Sequence, residues 1–365
     1  MNKIPCLDLK GQHRQIKKEV FELFEKVYDN SAFSGGTFVE DFEKAFAAYT
    51  GAKFAVGLNN GTSALHLALL ALGIGKDDEV IIPANTFIAT AWAVSYLGAK
   101  PVFVDCDAAN WEINPGQIEN AITSKTKAII GVHLYGMPYD IDAVSAIAAK
   151  NNLFMVEDAA QAHGAKYNGT PVGTRGEMAC FSFYPGKNLG ACGEAGGITT
   201  NNESYQKHLQ LLRNHGSKVR YYHDEIGFNM RMGGLEAASL SVKLKYLDGW
   251  NSRRKEIASM YHRGIKNAAV KMQSQPAWAE SVYHLFVVTT PDKEKLVKYL
   301  NEKNIFPGFH YPVPCHLQKA YSHLGYKKGD FPHSEYLAEH CLSLPIYAEL
   351  QDEEINKVIM SINEF

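Results

Sequence analysis

Lys187 sits in Ser182-Phe183-Tyr184-Pro185-Gly186-Lys187-Asn188, directly after an apolar run that reads as a buried strand. An amine in an aromatic, glycine-rich loop of this kind can be desolvated and made nucleophilic, although the ordinary lysine is a solvated surface residue. The Gly-Lys pair invites a nucleotide phosphate-loop reading. That pattern needs glycine at position 181 and Ser or Thr after the lysine, and the chain has Phe181 and Asn188, so it is rejected. Asp158 closes the apolar run LFMVE and precedes a small-residue stretch expected to be helical. A carboxylate there either caps the helix or faces a ligand nitrogen and keeps it protonated. Gln161, three residues on, is expected on the same helical face. Gly61-Thr62-Ser63 opens an Ala/Leu-rich helix after a strand, where free N–H groups suit a phosphate; simple N-capping by Thr62 or Ser63 is the alternative.

Other chemistries lack their residues. Gly73-Ile74-Gly75 follows a helix and has no third glycine in register, so no dinucleotide fingerprint is present. No HExxH or HxxxH spacing occurs, and His310 and His316 lie in a proline-rich segment, so no metal site is expected. The GxSxG turn of serine hydrolases is missing.

These residues must be held by a scaffold, and the hydrophobic rhythm supplies one. Helices are expected near 10–28 and 37–49. From residue 53, short β-branched runs alternate with helical patterns: KFAVGL and a helix from Gly61, EVIIP and a helix from Thr86, PVFVD and a helix near Gln117, AIIGVHL and a helix from Ile141, then LFMVED and ACFSF. Strands and helices alternating in this way indicate an α/β fold with a mostly parallel sheet. Residues 234–267 read as one long helix or two in tandem. A second pattern follows, with a strand in VYHLFVVTT, a helix over 293–304 and a further extended segment. The boundary is placed near Trp250, giving a large domain over 1–249 and a smaller α+β domain over 250–365.

Composition fits a two-domain globular protein. Of 365 residues, 46% are hydrophobic and 21% charged, and 37 basic residues balance 39 acidic ones for a net charge of −2. That near-neutrality argues against nucleic acid as the main partner and against an electrostatic membrane anchor. The six scattered cysteines form no CxxC pair, the apolar runs are too short to span a bilayer, and the first residues do not resemble a secretory signal. A reduced, cytoplasmic protein is expected.

In an open parallel sheet, ligands bind beyond the carboxyl ends of the strands. Residues 61–63, Asp158 and Lys187 all follow strands, so one rim carries a phosphate cradle, a carboxylate and a loop lysine. That combination is what pyridoxal phosphate requires.

The ordered motifs Ile4-Pro5-Cys6-Leu7-Asp8-Leu9, Asn60-Gly61-Thr62-Ser63-Ala64-Leu65, Asp78-Glu79-Val80-Ile81, Thr86-Phe87-Ile88-Ala89-Thr90, Glu157-Asp158-Ala159-Ala160-Gln161, Phe181-Ser182-Phe183, Lys187, Gly227-Phe228-Asn229-Met230-Arg231 and Tyr311-Pro312-Val313-Pro314 run nearly the length of the chain. In them the sequence closely resembles the DegT-type sugar-nucleotide aminotransferases, fold type I enzymes dependent on pyridoxal 5'-phosphate. The resemblance implies that Lys187 carries the cofactor covalently and shuttles the proton, and that Asp158 pairs with the ring nitrogen. It further implies that Gln161 approaches the phenolic oxygen and Phe87 stacks on the ring. Gly61, Thr62, Ser63 and Ser182 would hold the phosphate, helped by Asn229 from a second subunit, which makes a homodimer with shared sites the functional unit. L-glutamate would leave its nitrogen as pyridoxamine 5'-phosphate, and a nucleotide-diphosphate keto-sugar would accept it. Family members that dehydrate sugars have histidine where this chain has Lys187.

The loop Tyr184-Pro185-Gly186-Lys187-Asn188-Leu189-Gly190 looks like that of members acting at carbon 3, which implies a thymidine-diphosphate 3-keto-6-deoxyhexose as acceptor. A uridine-diphosphate 3-keto sugar and a 4-keto-6-deoxyhexose are the alternatives. Tyr184, Arg220, Tyr222, Arg231, His310 and Tyr311 are candidates for sugar-nucleotide contacts, since arginine suits phosphate geometry; surface solvation is the other reading of each. Ala195 departs from the family's Gly-acid-Gly-Gly, and would be strained if that position needs a positive φ. A catalytically silent, cofactor-binding regulator is the competing reading, although no basic helix-turn-helix segment is visible.

Overall fold

The computed structural model describes residues 3–365. Its centre is a seven-stranded sheet: β1 (Phe54–Leu58), β2 (Glu79–Pro83), β3 (Lys100–Val104), β4 (Thr126–Val132), β5 (Phe154–Asp158), β6 (Met178–Ser182) and β7 (Gly196–Thr200), in the order β1-β7-β6-β5-β4-β2-β3. Every neighbouring pair is parallel except those of β7, which runs antiparallel to both β1 and β6. The apolar runs are continuous because both faces are covered. Val80 and Ile82 enter one core while Ile81 enters the other, and Ile130 and Ile129 divide in the same way. Covering these faces are α1 (Lys10–Asp29), α2 (Thr37–Thr50), α3 (Gly61–Ala71), α4 (Ile88–Ser95), α5 (Pro115–Ala121), α6 (Ile141–Lys150), α7 (Glu203–Leu212) and α8 (Gly234–Leu244).

The expected long helical stretch is two helices, α8 and then α9 (Leu247–Gly264). Core membership changes along α9. Leu247 packs in the large domain's core, whereas Ile257, Ala258 and Tyr261 belong to a separate core beneath Phe286, Leu296 and Ile355. We therefore place the domain boundary inside α9. The small domain contains the antiparallel strands Lys271–Met272, Phe286–Thr289 and Cys341–Leu344, with α10 (Lys293–Glu302), α11 (Pro332–His340) and α12 (Asp352–Glu364).

Long-range contacts tie the domains. Ile4–Pro5 forms a parallel pair with Ile305–Phe306, and Ile4 is buried in the small domain's core. Asp105, just past β3, accepts the backbone N–H groups of His333 and Ser334 at 2.8 and 2.7 Å, so a large-domain carboxylate caps α11.

Two expected helices are corrected. The one placed at Thr86 starts at Ile88, because Phe87 is extended with φ −67° and ψ 144°. The segment after Asp158 is a series of turns and not a helix. Ala159 N–H donates to the Cys180 carbonyl at 2.8 Å, so the chain keeps pairing with β6 where a helix would have to leave it. Strand β7 and the strand at Ile4–Pro5 were not expected.

Candidate active site

Because β1, β2, β4, β5 and β6 run parallel, their carboxyl ends open on one rim, where a cavity of about 690 Å³ lies between the sheet and the small domain. Lys187, Asp158, Gln161, Phe87, Gly61, Thr62, Ser182, Tyr184, His310 and Tyr311 all line it.

At the β1–α3 junction, Asn60 is the N-cap, its Oδ1 accepting the Ser63 N–H at 2.7 Å. Neither Thr62 nor Ser63 is the cap, and Ser63 is buried away from the cavity wall. Gly61 is required by packing: a Cβ there would stand 2.7 Å from the Ser182 Cβ. The approach brings the Ser182 hydroxyl beside the first turn of α3, whose free N–H groups and dipole favour an anion.

Asp158 ends β5 and is 5% exposed. Its Oδ2 accepts from the Thr90 hydroxyl at 2.8 Å, and Oδ1 accepts from the Ala160 N–H at 3.1 Å. The Thr86 hydroxyl in turn pairs with that of Thr90 at 2.8 Å. Burial raises the Asp158 pKa, against the pull of Thr90, Ala160, Lys187 and His133. Gln161 is held from both ends: Oε1 accepts the Tyr135 N–H at 2.6 Å, and Nε2 donates to the Tyr311 hydroxyl at 2.9 Å. Tyr135 donates from its own hydroxyl to the His310 carbonyl at 2.6 Å, joining the small domain to the cavity wall. The Phe87 and Tyr311 rings lie with centroids 5.3 Å apart.

Lys187 is held by its backbone, whose N–H donates to the Tyr184 carbonyl at 2.9 Å. Burial lowers its pKa to about 8, with Asp158 pulling the other way. The amine thus reaches its neutral, nucleophilic form near physiological pH. Ala195 has no positive φ and is buried; its carbonyl accepts the Phe183 N–H at 2.8 Å, so the expected strain is absent.

The remaining candidates lie outside this chain's cavity. Arg220, Tyr222 and Asn229 are exposed, and Arg231 donates to Ser34 Oγ at 3.2 Å and Asn214 Oδ1 at 3.0 Å. Thr90, Tyr135 and His284 escaped the sequence reading. Thr90 carried a signal, since it stands four residues after Thr86, a spacing that lets the two hydroxyls meet. Tyr135 and His284 carried none, because only the tertiary fold brings them to the site.

The model of the DegT/DnrJ/EryC1/StrS aminotransferase family matches residues 14–363. A transaminase from Aneurinibacillus thermoaerophilus named for dTDP-3-amino-3,6-dideoxy-alpha-D-galactopyranose is 45% identical over 362 residues, 99% of either chain. A protein of Geobacillus stearothermophilus named as a pleiotropic regulatory protein is 44% identical over 365 residues, 99% of this chain and 98% of the other. Among solved structures, S. venezuelae DesV in complex with a ketimine intermediate superposes with a TM-score of 0.98 at 40% identity, covering 100% of this chain and 98% of that one. The chain belongs to the DegT/DnrJ/EryC1/StrS aminotransferase family.

Proposed function

We propose that this aminotransferase moves an amino group from L-glutamate to a thymidine-diphosphate 3-keto-6-deoxyhexose, using pyridoxal 5'-phosphate. The observation that carries the reading is a desolvated lysine and a buried aspartate on one cavity, beside a helix N-terminus suited to phosphate. The residues fit the cofactor. Gly61 lets the Ser182 hydroxyl come close to the first turn of α3, where a phosphate would sit, and Asp158 retains acceptor capacity beyond its two donors. When bound, pyridoxal phosphate supplies an electron sink for ionising a carbon–hydrogen bond beside the amine.

The chain's own groups supply the rest. Lys187 Nζ would hold the cofactor, then take the proton from the donor's α-carbon and return one to the acceptor's carbon. Asp158 would keep a ring nitrogen protonated. A cation there would also offset the burial that raises its own pKa. Gln161, fixed by Tyr135 and Tyr311, would donate toward the phenolic oxygen, and Phe87 would cover one ring face. Tyr184, His310 and Tyr311 line the same cavity and would meet the sugar, excluding water from the reacting end.

Action at carbon 3 is supported by the Tyr184–Gly190 loop and by the 3-amino-sugar named for the Aneurinibacillus relative. A homodimer is supported by large apolar side chains left in solvent, with Tyr221, Tyr222 and Ile226 at least 72% exposed. In such a dimer Asn229, Arg220, Tyr222 and Arg231 would serve the partner's site. The cysteines, all free among the described residues, support a reducing cytoplasm, and no helix there is long and apolar enough to cross a membrane.

The second reading, a cofactor-binding regulator without turnover, is favoured by the Geobacillus relative's name. The visible absorption spectrum before and after L-glutamate separates the two. The aminotransferase reading expects a visible band that moves to the near-ultraviolet. A band indifferent to every amino donor would favour the regulator, and a protein colourless after cofactor addition would overturn both.

A further inference from the structure

The small domain brings one more polar side chain to the reacting end of the cavity. His284 lies just before the strand Phe286–Thr289, on the cavity wall next to the lysine loop. Its backbone is fixed, because flanking Val282 and Leu285 donate to the Gly136 and Tyr135 carbonyls at 3.0 and 3.2 Å. The buried Arg254 guanidinium also donates to the carbonyl of His284 itself at 3.3 Å.

The ring is fixed by a chain of amides whose orientation has one solution. Asn251 Nδ2 donates to the His163 carbonyl at 2.8 Å, which turns its Oδ1 toward Asn188. Asn188 Nδ2 then donates to Asn251 Oδ1 at 2.8 Å and to the Val282 carbonyl at 3.1 Å. Only Asn188 Oδ1 is left to face His284 Nδ1, at 3.2 Å. An amide oxygen is an acceptor alone, so the contact requires the proton on Nδ1. In a neutral ring Nε2 must then be the bare lone pair. That atom makes no hydrogen bond among the described residues, and, unlike both nitrogens of His163, it is not sealed from solvent. Burial and the facing groups Lys187, Arg254, His310 and His163 all disfavour the imidazolium, keeping the ring in that neutral form.

We propose that His284 is a specificity-determining residue: a tautomer-locked acceptor that reads a hydroxyl on a carbon flanking the reacting carbon of the sugar. The assignment rests on the sugar-nucleotide reading above. A lone pair fixed by Asn188 rewards an O–H donor and repels a carbonyl or carboxylate oxygen. An acceptor substrate lacking the hydroxyl leaves Nε2 desolvated and unpaired, which is the strongest way for a site to reject a close analogue.

Two measurements on the holoenzyme test it. Nitrogen-15 spectra of histidine-labelled protein, with the ring assigned by its loss in His284→Gln, should give a protonated Nδ1 and an unprotonated Nε2; a proton on Nε2 overturns the proposal. Calorimetric binding of a thymidine-diphosphate 3-amino-6-deoxyhexose should then be compared with its 2-deoxy and 4-deoxy counterparts. One of the two deletions should weaken binding about tenfold or more, and His284→Leu should bind that deoxy sugar and its parent equally. Discrimination that survives His284→Leu, or is absent from the wild type, overturns the assignment while leaving the aminotransferase reading intact. Failure of the wild type to bind any of the three sugars overturns both.

Discussion

Glu157 and Asp158 are consecutive carboxylates on one strand, and strand geometry sends them to opposite faces of the sheet. Glu157 is sealed and saturated. It accepts from the Gly173, Arg175 and Gly176 N–H groups at 2.9–3.0 Å, and from His133 Nε2 at 3.0 Å. Asp158 has one hydroxyl, one N–H and a cavity. Burial pushes both acids up. At Glu157 the His133 ring and the backbone donors outweigh it and the pKa falls, whereas at Asp158 burial prevails. The first anion is satisfied by the fold, and the second is left short of positive partners. An acid kept short in this way is prepared for a charge that arrives from outside.

The contrast predicts that the cavity face loses chemistry on mutation and the sealed face loses stability. The largest effect belongs to Lys187→Ala, which should cut amine transfer by about 10⁴-fold or more while leaving the melting temperature unchanged or higher, since an unpaired buried amine is removed. Appreciable turnover by this variant would place the essential amine elsewhere. Asp158→Asn should cost on the order of 10²–10³ in kcat with little change in melting; steady-state kinetics beside a thermal melt measures both. Glu157→Gln should reverse the pattern. It turns an amide NH₂ against N–H donors and should cost about 3 kcal/mol of stability, with kcat retained by the folded enzyme. If Glu157→Gln silences the enzyme without destabilising it, the division between the two faces is wrong.

The effect confined to acid concerns His163, whose ring nitrogens are both sealed from solvent. Burial and Lys187 lower its pKa from the ordinary 6.5 to about 3. Between those values the unfolded chain binds a proton that the folded one does not. This contribution to stability is therefore complete above pH 6.5 and is lost as pH falls toward 3, by at most about 1.4 kcal/mol per pH unit. Denaturant melts across that range should give a shallower acid limb for His163→Phe. An unchanged limb would mean that the ring takes up its proton while folded.

The strands were legible because a sheet covered on both faces writes itself as unbroken apolar runs, and the rim residues followed from where those runs stop. Lys187, Asp158, Gln161 and Tyr311 line one cavity that their order in the chain could only suggest. The helix expected after Asp158 failed because Ala159 pairs across to Cys180, a tertiary bond that overrides the propensity of small residues. Strand β7 hid in Gly196-Gly197, where two glycines mask a strand and the closeness of Gly196 to Asn60 is visible only in space. His284 was illegible for a further reason: it acts through the orientation of one ring, set by a partner as distant as position 188.

The pairing of Ile4–Pro5 with Ile305–Phe306 sets the order in which a ribosome can finish this molecule. Cys6 and Leu7, immediately after that strand, share the cavity wall with Ile346. The strand at Ile4–Pro5 must therefore wait, unpaired, until some three hundred further residues have emerged. Nascent chains halted before position 305 can build the parallel sheet yet cannot close its rim, so the lysine pocket is completed only after the small domain has been made.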